Sequence, residues 1–335
     1  MTLKQTTGKA LALASAILLA ACASNQSPRR DGAAAQPRSS PTAKLRPGST
    51  WPHYTLRAEK VWQLNLPQGQ PFDASGLLLS SSGDLLTIND RGATVYRIRF
   101  LAGTNVAELI PLTECFTDRQ LAPLAAEKIG RYDCEGIAQD SQDRLYVCEE
   151  ANRWVLRYDS RKQTVERLPI DWSPVQKYFH AGDRNASWEG IAIGNGKLFV
   201  ANERQLGRII AVDLKTLKVI SSFAVRPSGS NARDVHYTDL SWFEGALFVL
   251  LRESRVVLQV DADTHRVLAE FDYRDMEQAP EAAYRTLLRL PIGTMEGLAV
   301  DRDHIWLVTD NNGLGRARYP KDLRPTLFRC PRPDR

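Results

Sequence analysis

The chain has 335 residues, of which 43% are hydrophobic and 25% charged, a balance that excludes wholesale disorder and leaves ample apolar material for a core. Its formal net charge is +5, but the excess is confined to the first 50 residues, in Lys4, Lys9, Arg29, Arg30, Arg38, Lys44 and Arg46 against Asp31. The remaining stretch, 51–335, carries −1, so nucleic acid is not expected as a partner.

Taken in order, the chain opens with Lys4 and Lys9 ahead of an apolar run, Ala10 to Ala21. That run is too short to span a bilayer and reads as a secretory signal over 1–21. Its end, Leu19-Ala20-Ala21-Cys22, resembles a bacterial lipobox. The resemblance implies cleavage before Cys22 and lipid attachment there. With Ala23 rather than Asp next, it implies an outer-membrane destination; the periplasmic face is the expected placement, with the outer face as the alternative. Residues 22–50 are rich in Ser, Ala, Pro, Gln and Arg without apolar periodicity, and read as a flexible tether. A basic tether also suits an anionic membrane surface.

From residue 51 onward the chain repeats itself. Cys134-Glu135-Gly136-Ile137-Ala138 recurs as Trp188-Glu189-Gly190-Ile191-Ala192 and as Met295-Glu296-Gly297-Leu298-Ala299. Weaker copies stand at Asp73-Ala74-Ser75-Gly76-Leu77 and Thr238-Asp239-Leu240-Ser241. After each acid follow four short apolar segments with turn residues between them. In the third copy these are 189–193, 197–201, 209–214 and 219–225, with an Asn195-Gly196 hairpin signal after the first. The second copy reads 135–139, 144–148, 155–159 and 165–170, and the fourth 239–243, 246–250, 256–261 and 267–271. The first reads 76–79, 84–88, 94–99 and 106–112, and the fifth 297–300, 304–308 and 315–319. One antiparallel four-stranded sheet per repeat predicts an all-β fold, a β-propeller of five or six four-stranded blades over 51–335. The strand-like stretch 60–66 is expected to complete the last blade; a sixth blade from 51–72 and 315–335 is the alternative. Short helical insertions are expected at 118–129, 173–179 and 276–290, the last with Ala283, Leu287 and Leu290 on one face.

In a propeller the first strand of each blade lines the axis, so Asp73, Glu135, Glu189, Asp239 and Glu296 are expected to converge there as metal ligands. A second set, Asp90, Glu150, Glu203 and Asp310, ends the second strands on the same face beside Asn89, Asn202, Asn311 and Asn312, while blade four has Arg252-Glu253 instead. Carboxylates that close need a cation or shared protons, and calcium suits an irregular ring of oxygens. The alternative is architectural, with each acid accepting backbone N–H bonds from a neighbouring blade. Arg91, Arg153, Arg204 and Arg252, with Arg255, would bind an anionic substrate or simply pair with these acids. Glu135, Glu189 and His236, with His180, are the candidate catalytic bases, although a surface loop is the commoner setting for such histidines. Four further cysteines allow disulfides, with Cys134–Cys148 and Cys115–Cys330 the favoured pairing.

The recurrent Glu-Gly-Ile/Leu-Ala blade openings resemble those of the phytase-like propellers, described as having esterase-like activity, and of the related SdiA-regulated propellers. Leu198–Val225 is also similar to surface-layer propeller repeats. These resemblances imply an exported propeller, calcium-binding, with an ester or phosphoester substrate, or else a binding role. Two functions are therefore expected. One is a lipid-anchored binding module, monomeric, that holds an anionic small molecule, a glycan or an envelope protein. The other is a metal-dependent hydrolase.

Overall fold

The computed structural model describes residues 50–180, 182–183, 186–203, 207–230, 235–285 and 294–333. The signal segment, Cys22, the tether up to Ser49, Arg204, Leu287 and Leu290 lie outside them. No helix among the described residues is long and apolar enough to cross a membrane.

Two strands come first, β1 (His53–Thr55) and β2 (Lys60–Asn65). Blade one follows as β3 (Ala74–Leu79), β4 (Leu85–Asn89), β5 (Val95–Phe100) and β6 (Val106–Pro111). Blade two is β7 (Cys134–Gln139), β8 (Leu145–Glu149), β9 (Trp154–Asp159) and β10 (Thr164–Arg167). Blade three is β11 (Trp188–Gly194), β12 (Lys197–Asn202), β13 (Arg208–Asp213) and β14 (Val219–Phe223). Blade four is β15 (Tyr237–Phe243), β16 (Ala246–Leu251), β17 (Val256–Asp261) and β18 (Val267–Asp272). Blade five has β19 (Met295–Val300), β20 (His304–Thr309) and β21 (Thr326–Pro331). Within each blade neighbouring strands are antiparallel, and β1 adds to the outer edge of blade four in parallel with β18.

The first strands pack side by side in the cyclic order β3, β7, β11, β15, β19 and back to β3. Five apolar clusters fill the five gaps between blades. One example joins Leu77 and Ile98 of blade one to Trp306 and Val308 of blade five. Alternation makes this possible, because successive residues of a strand face opposite sides of their sheet and so feed two different gaps. The ring therefore has five blades. The stretch expected to close it does so: β2 pairs antiparallel with β21, Lys60 opposite Arg329 and Gln63 opposite Thr326. It also meets β6 in parallel, so two blades become one continuous sheet and neither exposes an edge at the seam.

Two expectations need correction. The third strand of blade five is Thr326–Pro331, not 315–319, and residues 51–72 build no sixth blade. Residues 315–325 form a loop instead, held by Asp322, which takes Arg324 Nε at 2.8 Å and pairs with Arg316. Pro320 and Pro325 deny that stretch the ladder N–H groups a strand needs. Of the helical insertions, 173–179 is met by a 3-10 helix over Ser173–Tyr178, while 118–129 holds α1 (Asp118–Leu121), with a Thr117–Gln120 capping box, running into a 3-10 turn at Ala122–Leu124. Of 276–290, residues 286–290 lie outside the described residues, and the described part overlaps only the end of α2 (Arg274–Glu277).

Candidate functional site

Every first strand carries a β-bulge near its start, between Ser75 and Leu77, Cys134 and Gly136, Trp188 and Gly190, Tyr237 and Asp239, and Met295 and Gly297. A bulge sets two residues against one and re-aims the side chains beside it. The residue after each second strand also donates its N–H to the carbonyl before each first strand. The pairs are Asp90 to Asp73, Glu150 to Asp133, Glu203 to Ser187, Arg252 to His236 and Asp310 to Thr294, at 2.8–3.3 Å. This repeated bond aligns the blades residue by residue. Ser75, Glu135, Glu189, Thr238 and Glu296 are equivalent; so are Asp90, Glu150, Glu203, Arg252 and Asp310.

Two expected ring members fall in other columns. Asp73 corresponds to Asp133, Ser187, His236 and Thr294. Asp239 corresponds to Gly76, Gly136, Gly190 and Gly297, the positions where the first strands touch. A Cβ on Gly190 would lie 2.6 Å from the Asp239 Cα, so the column admits almost no side chain. The one it does hold is fully buried on the axis. Asp239 Oδ2 accepts N–H bonds from Leu298 at 2.7 Å and Leu77 at 3.1 Å, and Oδ1 accepts from Leu240 at 2.8 Å. This carboxylate ties blade four to blades one and five, as the architectural alternative describes.

The other acids meet in two groups. Asp133, Glu135 and Glu150 each place a carboxylate oxygen within 4.8 Å of the others, and so do Glu150, Glu189 and Glu203. Glu150 belongs to both. Its Oε1 accepts from the Ser187 N–H at 3.2 Å, and Ser187 Oγ donates to its carbonyl at 2.9 Å. Burial, then the neighbouring carboxylates, push Glu135 and Glu189 well above the usual carboxylate range. Burial raises Glu150 to about 8, against the opposing Ser187 N–H. Asp90 rises to about 7 through burial and then Asp73 and Asp133; Asp310 rises to about 8 through burial and then Glu296. Without a cation these groups favour the protonated form. Asp133, also raised by burial, was missed as a site residue. The signal for Asp133 was its place directly before the repeated Cys-Glu-Gly.

Most of the expected arginines are already engaged. Arg252 pairs with Glu296 and reaches Glu203 Oε1 at 3.1 Å. Arg91 pairs with Asp73 from a half-exposed position. Arg153 Nη2 donates to the His180 carbonyl at 3.0 Å, with its guanidinium over the Phe179 ring. Arg255 Nε meets Glu277 at 2.5 Å. His236 stands beside the ring with Nδ1 3.6 Å from Glu253 Oε1, and His180 contributes its carbonyl to Arg153.

The disulfide expectation is overturned: Cys115, Cys134, Cys148 and Cys330 are all free and buried. Cys134 lies opposite Glu149 and Cys148 opposite Gly136, one step apart in the ladder, so the two thiols face opposite sides of the sheet. Cys134 joins the cluster between blades one and two, together with Cys115, and Cys148 the cluster between two and three. Cys330 packs 3.4 Å from the Met276 sulfur in the cluster between blades four and five. Burial drives all four thiols above their usual range, Cys115 to about 12.

The family described as Phytase-like, esterase-like activity of phytase, matches residues 56–313. The chain belongs to the Phytase-like family. The match covers the five first strands and both carboxylate groups. Among solved structures it is similar to the glutaminyl cyclase of Myxococcus xanthus, with a TM-score of 0.53 and 16% identity over 83% of this chain and 96% of that one. A virginiamycin B lyase from Staphylococcus aureus aligns with a TM-score of 0.39 and 15% identity over 74% of this chain and 67% of that one. At 16% identity the likeness to the cyclase is one of fold. No curated protein matches the chain significantly in sequence.

Proposed function

We propose that the carboxylate ring holds a divalent cation, calcium by preference, and through it binds an anionic ligand on a propeller anchored by Cys22 in the cell envelope. The observation that carries this reading is the pair of carboxylate groups sharing Glu150. The donor set fits: every group offers hard oxygen, and separations up to 4.8 Å match two ligands on opposite sides of one calcium, about twice its oxygen distance of roughly 2.3–2.6 Å. A cation also answers the electrostatics, since it would let buried carboxylates stay ionised. The lipobox-like segment and basic tether support an outer-membrane, periplasmic placement, with an anionic small molecule, a glycan or an envelope protein as partner. Calorimetric titration of the full-length protein with calcium tests the reading; no heat and no thermal stabilisation at millimolar calcium would sink it.

A second reading, hydrolysis of an ester or phosphoester, is favoured by the family's esterase-like description together with Asp90. A bound cation supplies polarisation of an ester or phosphoryl oxygen. Asp90, raised to about 7 and standing outside both carboxylate groups, can hold or release a proton near neutral pH, and half-exposed Arg91 lies beside it. Glu135, Glu189 and His236 are the groups placed to take a proton from water. A panel of aryl esters and phosphoesters, run with wild type and the Glu135→Gln/Glu189→Gln double variant, decides it. Turnover that survives both substitutions removes these residues from the chemistry.

A further inference from the structure

Blade four breaks the ring's pattern. Where the other blades place Asp90, Glu150, Glu203 and Asp310 after their second strands, it places Arg252. The side chain is 14% exposed. It spans three blades: Nη2 meets Glu203 Oε1 of blade three at 3.1 Å, Nη1 pairs with Glu296 of blade five, and Nε lies 3.2 Å from Glu253 Oε1. Three other arginines of this face contact different groups. Arg91 reaches in from the rim, Arg153 binds loop carbonyls, and Arg255 pairs with Glu277. Among the described residues, neither group of clustered acids includes Glu296.

We infer that Arg252 is a built-in cation, which serves as the counter-charge of the arc from Glu203 to Glu296 and keeps any exogenous ion on the side of the ring centred on Glu150, with Glu203 the one carboxylate that borders both. The inference rests on the cation reading above for what fills the other side, but not for the role of Arg252 itself. A guanidinium spreads five N–H donors within one plane, so a single side chain can serve carboxylates from two blades at once. Being covalently attached, it offsets their charge at any ion concentration. Its single charge and fixed position leave no room for a divalent ion on the same arc. The ring is thus asymmetric by sequence: one arc permanently filled, one arc dependent on its surroundings.

The test compares wild type with Arg252→Gln and Arg252→Lys, all as full-length protein, by calcium calorimetry and by melting with and without calcium. Removing a buried partner from two carboxylates should lower the R252Q melting temperature by about 5–10 °C without calcium. Calcium should return at least half of that loss, and R252Q should bind one calcium more than wild type. R252K, which keeps the charge, should keep wild-type stoichiometry. Unchanged stoichiometry in R252Q, with a deficit that calcium does not repair, would overturn the inference and leave Arg252 a plain structural ion pair. The two readings fail separately. Binding by R252Q but not by wild type removes the Glu150 site and keeps the built-in cation. If R252Q does not fold, Glu296→Gln decides: it should leave wild-type calcium binding intact, and loss of binding there would overturn the assignment.

Discussion

The two ends of the central axis are built from the same five strands and differ in charge. At the start of those strands, carboxylates from four blades converge with more negative charge than their own arginines cover. At their far ends, Leu77, Ile137, Ile191, Leu240, Trp242 and Val300 line a cavity of about 300 Å³ together with the uncharged Ser81, Gln139, Ser141 and Ser241 and a single acid, Asp140, which pairs with Arg144. Between the two lies the column of glycines with Asp239 in it. The contrast teaches that a strand only six or seven residues long can serve two environments. The bulge turns its first residues toward the axial opening, and regular alternation beyond the bulge returns to apolar packing. The acidic end can be specialised without disturbing the far one, provided the glycine column holds.

The largest disruption should come from the boundary. Asp239→Ala leaves the Leu77 and Leu298 N–H groups without acceptors in a site that water does not reach, at a cost of about 3–5 kcal/mol; Gly190→Ala drives a methyl into the neighbouring backbone with a similar outcome. Denaturant unfolding measures both, and wild-type midpoints would refute the boundary as drawn. Next comes Glu150→Gln, which should abolish or weaken calcium binding at least tenfold because both carboxylate groups lose their shared member. In the absence of calcium the same variant should melt no lower than wild type.

Acidity sharpens the comparison further. Glu150 is raised in the folded state to about 8, so the stability it contributes is full below its unfolded value of about 4.5 and is lost as pH rises through 8. With a chelator present, melting temperature should therefore fall between pH 5 and 9, and calcium should flatten that slope. A slope unaffected by calcium would mean that the acids and the ion do not meet. The smallest effect belongs to the far end. Trp242, half-buried and stacked on Phe199 at 5.7 Å, should cost about 1–2 kcal/mol on replacement by Ala and leave calcium affinity unchanged.

Much of this was legible in the residues. The three Glu-Gly-Ile/Leu-Ala copies announce the repeat, the Asn195-Gly196 turn marks its hairpin, and the apolar stretch 60–66 foretells the closing strand. The equivalence of Asp73 and Asp239 with the three glutamates was misread, because the repeat was followed from acid to acid, whereas Ser75 and Thr238 fill that column and only the bond between second and first strands shows it. The cysteine pairing failed for a related reason. Cys134 and Cys148 flank one hairpin, yet a single step in the ladder sends their sulfurs to opposite faces of the sheet.

The sequence by itself determined the blade: its four strands, its turns, its repeated acid and its apolar alternation are local matters of period and turn chemistry. Only the tertiary structure decided the count of five, because closure depends on how the first strands pack around one axis and on where β2 finds an edge. It also decided which acids meet. Arg252 stands 44 residues from Glu296 and 49 from Glu203, and nothing in their spacing brings them together. A ring does, because it makes neighbours of positions that recur once per blade, and charge then settles differently on its two arcs.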